Sequence, residues 1–143
     1  MNSGKTPAPR PSYKQPVMII DDNRDILNAL EFLLLSEGIE SIVAHDGLDA
    51  LTKLDAGKVP CLILLDNAMP VMSGAQFLEA IHRHPRFASI PVYIISASGD
   101  FDGAAKAAGI SGYIHKPFEP GRVLEIIRRH TTATPVGGPS ARE

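Results

Sequence analysis

The chain contains a single cysteine, Cys61, among 143 residues. One thiol cannot close an internal disulfide, so a reducing, cytoplasmic setting is the expectation. Cys61 opens an apolar run and reads as a small core residue rather than a nucleophile. An excess of charge of either sign is also missing. Fourteen Lys and Arg stand against sixteen Asp and Glu, and a formal charge of −2 gives no electrostatic case for a nucleic-acid or membrane partner. No apolar run approaches the ~20 residues that a membrane span needs. The opening MNSGKTPAPRPSYKQP lacks the apolar segment of a secretory signal. What is present is 44% hydrophobic and 21% charged, a globular composition at a length that suits one domain with a real core.

Residues 1–16 hold four of the twelve prolines and no periodic apolar pattern, so they read as a disordered, mildly basic arm. The stretch 131–143, TTATPVGGPSARE, has the character of a flexible tail. Between them, in 17–130, strand and helix patterns alternate. VMII (17–20) is a buried strand, and Ile26, Leu27, Leu30, Leu33 and Leu34 then recur at helical spacing until Gly38. SIVA (41–44) is a second strand, followed by a helix carrying Leu48, Leu51 and Leu54 up to Gly57. The run Leu62-Ile63-Leu64-Leu65 is short and non-alternating, which suits a strand covered on both faces. Its helix starts near Ser73 and presents Phe77, Ala80 and Ile81 before Pro85. VYIIS (92–96) is the fourth strand, with an alanine-rich segment at 102–108 behind it. GYIHKP (112–117) carries the fifth, and Val123, Ile126 and Ile127 mark a last helix. Five strand–helix units with short connections predict an α/β fold: a doubly wound, five-stranded parallel sheet with helices on both faces.

The residues that end these strands are not those of a plain scaffold. The first ends in Asp21-Asp22, the third in Asp66, the fourth in Ser96 and the fifth in Lys116-Pro117. A parallel sheet gathers them on one edge, where such folds bind ligands. Three carboxylates together repel and call for a compensating cation. An all-oxygen set with open positions suits Mg²⁺ or Mn²⁺. A serine hydroxyl and a lysine ammonium are useful against phosphoryl oxygens, and a carboxylate can itself become an aspartyl phosphate.

At this point the sequence resembles a family, the receiver domains of two-component response regulators, in their stand-alone form. IIDDN, AHDGLDAL, LLDNAMPVMSG, IISAS and GYIHKPF match its five signature blocks in order, over roughly residues 17–130. The resemblance implies a flavodoxin-like fold of the receiver type and a phosphorelay function. A sensor histidine kinase or histidine phosphotransfer protein would donate a phosphoryl group from phosphohistidine to Asp66. It implies that Asp22 ligates the metal directly, that Asp21 helps through a water, and that the backbone carbonyl of Ala68 is a further ligand. Ser96 and Lys116 would contact phosphoryl oxygens, and Tyr113 would repack when Ser96 moves. Lys116-Pro117 matches the family's cis peptide. A downstream protein partner would meet segment 102–108, the fifth strand and the last helix. The segment 97–108 looks shorter than usual and holds two glycines, which bears on that face.

Plainer readings stand beside these. Asp22 could N-cap the first helix, with Asp25 in its first turn. Asp66 could start a turn, Lys116 could be a solvated lysine, Ser96 a strand-end hydroxyl and Tyr113 a core aromatic. The five histidines show no spacing that converges on the acids, and Arg128-Arg129 reads as a solvated helix end. Other functions share parts of the pattern. A phosphatase of the haloacid dehalogenase type needs a second acid two residues after its nucleophile, where this chain has Ala68. An FMN-binding flavodoxin needs a phosphate loop after the first strand, where this chain has acids. A receiver-like scaffold that is never phosphorylated has no need of the full acidic set.

Overall fold

A computed structural model describes residues 15–66, 72–97 and 109–131. Residues 1–14 of the expected arm, the Ala68 carbonyl, the alanine-rich 102–108 and the tail beyond 131 lie outside these residues. The strands are β1 (Val17–Ile20), β2 (Ser41–Ala44), β3 (Leu62–Asp66), β4 (Val92–Ser96) and β5 (Gly112–His115). The helices are α1 (Arg24–Ser36), α2 (Gly47–Asp55), α3 (Gly74–His82) and α4 (Pro120–Thr131). The strands form one all-parallel sheet in the order β2-β1-β3-β4-β5. The doubly wound α/β architecture expected from the alternation is the one observed.

Side chains alternate across each strand, and the two sets of the central strands enter two cores. Met18, Ile20, Ile63, Leu65 and Ile94 pack with Ala50 and Leu54 of α2 and with Phe77, Leu78 and Ile81 of α3. Val17, Ile19, Leu62, Leu64, Tyr93 and Ile95 pack with Leu27, Leu30 and Leu34 of α1 and with Val123, Ile126 and Ile127 of α4. Full burial of each large aliphatic side chain contributes about 1.5–3 kcal/mol. That is why β1, β3 and β4 carry no polar residue before their final positions. Leu78 joins the core of α3, and Ala80 is only partly buried.

Local sequence sets the helix ends. The Asn23 side chain caps α1, accepting from the backbone N–H of Asp25 at 2.9 Å and of Ile26 at 3.1 Å. Asp46 caps α2 by accepting from Asp49 N at 2.8 Å. Ser73 and Gln76 form a reciprocal capping box at α3. Gly38 and Gly57 follow α1 and α2 at φ of 71° and 99°, the left-handed conformation in which helices commonly stop. α4 runs one residue into the stretch read as tail. Thr131 is buried there, and its hydroxyl donates to Ile127 O at 2.7 Å. Among the described residues, no helix is long and apolar enough to cross a membrane.

Candidate functional site

The chain leaves β1 toward β2 on one side and β3 toward β4 on the other, so a crevice opens above the carboxyl ends of β1 and β3. Three acids stand there. Asp21, Asp22 and Asp66 each offer a carboxylate oxygen, and these atoms lie within 4.8 Å of one another. Asp66 is the final residue of β3, paired in register with Ile95 of β4 and 6% exposed, so it is not a solvent turn. Asp21 is 1% exposed and accepts from Asn23 N at 2.8 Å. Asp22 is exposed and does not cap α1. Asn23 occupies that role, as good an N-cap as aspartate, which leaves the Asp22 carboxylate available at the cluster. The sequence had offered the cap to Asp22; the adjacent Asn was the signal for the better choice.

Lys116 arrives from the far edge of the sheet. Its Nζ lies 3.2 Å from Asp66 Oδ1 and 3.4 Å from Asp21 Oδ2, so it is not a solvated lysine. Burial pulls its ammonium down, but the charge of Asp21 and the hydrogen bond and charge of Asp66 outweigh that, and its pKa is raised above the ordinary lysine value. Its backbone is held as well, with Lys116 N donating to Ser96 O at 2.7 Å. The Lys116-Pro117 peptide is cis. Ser96 ends β4, buried, one position beyond the residue facing Asp66 and in register with His115. One lysine cannot neutralise three carboxylates. Short oxygen donors around a crevice, one of them exposed, fit a hard divalent cation that keeps open coordination positions.

Tyr113 is placed apart from this cluster. It is 39% exposed on β5, with its ring edge-on to His115 at a centroid distance of 5.1 Å. Tyr113, His115, Pro117, Glu119 and Arg122 line a cleft of about 540 Å³. His130 is more than a surface histidine, since its Nε2 lies 3.3 Å from the hydroxyl of the buried Tyr93. Arg128 is more than a helix-end charge. Its Nε and a terminal nitrogen each donate to Glu37 at 3.0 Å, joining α4 to the end of α1.

The sequence profile of the response regulator receiver domain matches residues 17–128. The chain belongs to that family. Receiver domains are the signalling modules of two-component systems, and their general function is to accept a phosphoryl group. The receiver domain described above is 38% identical to the protein PilG of Pseudomonas aeruginosa over 123 residues, 84% of this chain and 90% of that protein. The chemotaxis protein CheY4 of Vibrio cholerae has the same fold, at a TM-score of 0.75 and 28% identity, over 82% of this chain and 98% of that one. A CheY-like receiver domain protein of Methanospirillum hungatei matches at 0.74 and 26%, over 83% and 94%.

Proposed function

We propose that Asp66 is the phosphoacceptor and that its donor is a phosphohistidine on a sensor histidine kinase or histidine phosphotransfer protein. An Asp66 carboxylate oxygen attacks the phosphorus, the P–N bond breaks, and the protonated imidazole leaves with the bonding pair as a neutral ring. In the return step water attacks the acyl phosphate, inorganic phosphate departs and the carboxylate is restored. The receiver catalyses these two transfers on itself and turns over no metabolite.

Asp21, Asp22 and Asp66, with the Ala68 carbonyl outside the described residues, would hold Mg²⁺ or Mn²⁺, which supplies positive charge against the phosphoryl oxygens. Lys116, already on Asp66 Oδ1, passes its hydrogen bond to the incoming group. The Ser96 hydroxyl donates to another phosphoryl oxygen and draws the end of β4 with it. Tyr113 then repacks, and the altered surface of β5, α4 and segment 102–108 meets a protein partner in the cytoplasm.

One observation carries this reading: three carboxylates within 4.8 Å at the crevice, with Lys116 touching two of them. Incubation with acetyl phosphate and Mg²⁺, followed by intact mass, tests it. The wild type should gain one phosphoryl group, and none when the metal is chelated beforehand, and Asp66→Asn should gain none. An adduct of equal yield on Asp66→Asn overturns the assignment. Hydrogen exchange with and without beryllofluoride tests the switch, and silence across 97–118 would rule it out.

A further inference from the structure

A helix that packs on a core by one face ordinarily carries charge on the other. The outer face of α1 does not. From its second turn to its end it exposes Asn28, Ala29, Phe32, Leu35 and Ser36, none of them charged. Phe32 is 70% and Leu35 73% exposed, and a spacing of three residues makes them neighbours on the helix surface. They are not spare core residues, because Leu27, Leu30 and Leu34 already fill the core beneath.

The chain enters the sheet beside that end of the helix. Val17 N donates to Glu40 O at 3.0 Å, and Glu40 follows α1 by four residues. Gln15 O lies 3.6 Å from the Cys61 thiol, and Cys61 packs against the core shared by α1 and α4. The arm before Gln15 therefore leaves on the face of the sheet that α1 covers. Its fourteen residues reach ~46 Å when extended at ~3.3 Å each, and α1 at ~1.5 Å per residue is only ~20 Å long. The charges are complementary as well. Residues 1–14 hold Lys5, Arg10 and Lys14 and no acid, whereas residues 25–52 hold six acids and no lysine or arginine. Two of those acids, Glu31 and Glu40, flank Phe32 and Leu35 in the chain. Pro7, Pro9 and Pro11 favour an extended polyproline conformation, which leaves less chain entropy to lose on docking.

We propose that residues 1–14 fold back onto the outer face of α1 as a tethered cover. Tyr13 and the prolines lie on Phe32 and Leu35, and the basic side chains of the arm face Glu31 and Glu40. A patch of two large side chains is too small for a second copy, because a stable pair of chains buries about 800 Å² on each partner. A tethered segment needs less, since its own linkage holds it at millimolar effective concentration.

The test is amide NMR on the full chain, wild type against two double variants. Phe32→Ser with Leu35→Ser alters only the patch, and is read at the amides of residues 5–14. Arg10→Glu with Tyr13→Ser alters only the arm, and is read at the amides of Asn28 to Ser36. Each variant should shift the amides of the other, unaltered segment, and the rest of the sheet should stay as in the wild type. Lowering the Debye length from ~30 Å to ~3 Å with salt should shrink both sets of shifts. Silence in both sets overturns the proposal. So do shifts that grow with protein concentration alongside a doubled mass in sedimentation, which would put a second copy on the patch. Shifts indifferent to salt overturn the pairing of the arm with Glu31 and Glu40. Should Phe32→Ser with Leu35→Ser not fold, the arm variant decides alone, because it leaves every described residue in place.

Discussion

At the amino ends of the strands the sheet closes on neutral backbone hydrogen bonds. Val17 N donates to Glu40 O at 3.0 Å, Cys61 N to Pro16 O at 2.9 Å and Ile63 N to Pro91 O at 3.0 Å. At the carboxyl ends the same strands deliver Asp21, Asp66 and Ser96, all nearly out of solvent, to an edge that holds Lys116. Only aliphatic and aromatic side chains lie between, in two cores. The contrast teaches where stability and chemistry reside. The middle of the sheet makes the fold, and its carboxyl edge carries groups that a fold alone would avoid, because clustered buried charge opposes folding unless it is compensated.

The largest effect on stability is expected from Lys116→Met. It leaves Asp21 and Asp66 close together without their cation, and removing one partner of a buried ion pair costs about 3–5 kcal/mol. Chemical denaturation with chelator present should show that loss. Mg²⁺ should restore more stability to this variant than it adds to the wild type, and an equal response would place Lys116 outside the electrostatics of the site.

Leu64→Ala attacks the other half of the contrast. Leu64 is fully buried in the core shared by α1 and α4, and its truncation should cost about 2–5 kcal/mol. The increment added by Mg²⁺ should survive unchanged. If it vanishes, core and edge are not separable.

Asp22→Ala sharpens the comparison from the edge alone. The variant without metal should be as stable as wild type or more so, since one of three mutually repelling acids is gone. Mg²⁺ at ten times its dissociation constant should stabilise wild type by about 1.4 kcal/mol and the variant by much less. Thermal melts with and without Mg²⁺ decide this.

The smallest effect concerns His130, far from the acids. Burial, and then the neighbouring Arg129, lower its pKa below the ordinary histidine value of 6.5. The facing groups are the Tyr93 hydroxyl and Arg129, itself 3.7 Å from Glu125. With the folded pKa below the unfolded one, the unfolded chain takes up the proton first as pH falls. This contribution to stability is therefore full above about pH 6.5 and is lost as pH drops toward the folded value. His130→Gln should show a shallower decline in thermal midpoint between about pH 7.5 and 5.5. An identical slope would show that the environment of His130 does not matter.

Much of this was legible before folding is considered. The uninterrupted apolar runs at 17–20 and 62–65 marked strands covered on both faces, and the acids closing them marked the working edge once the strands were taken as parallel. The helix start near Ser73 and the stop at Gly38 could be read because capping and left-handed turns act over three or four residues. Cys61 was read as a core residue and is partly buried, packed against the α1–α4 core with its thiol 3.6 Å from Gln15 O. Tyr113 was harder, because a strand aromatic faces core or solvent according to which helices cover its face.

The sequence by itself determined the periodicities, the alternation of elements and the chemical types gathered at the strand ends, all consequences of forces acting between near neighbours. Docking decided the rest. It brought Lys116 to acids 50 and 95 residues away. It turned a helix-end arginine into a two-pronged clasp on Glu37. It also pressed Met72 into the space left by Gly47. Such contacts depend on the distance and angle between packed elements, and no periodicity within one element encodes them.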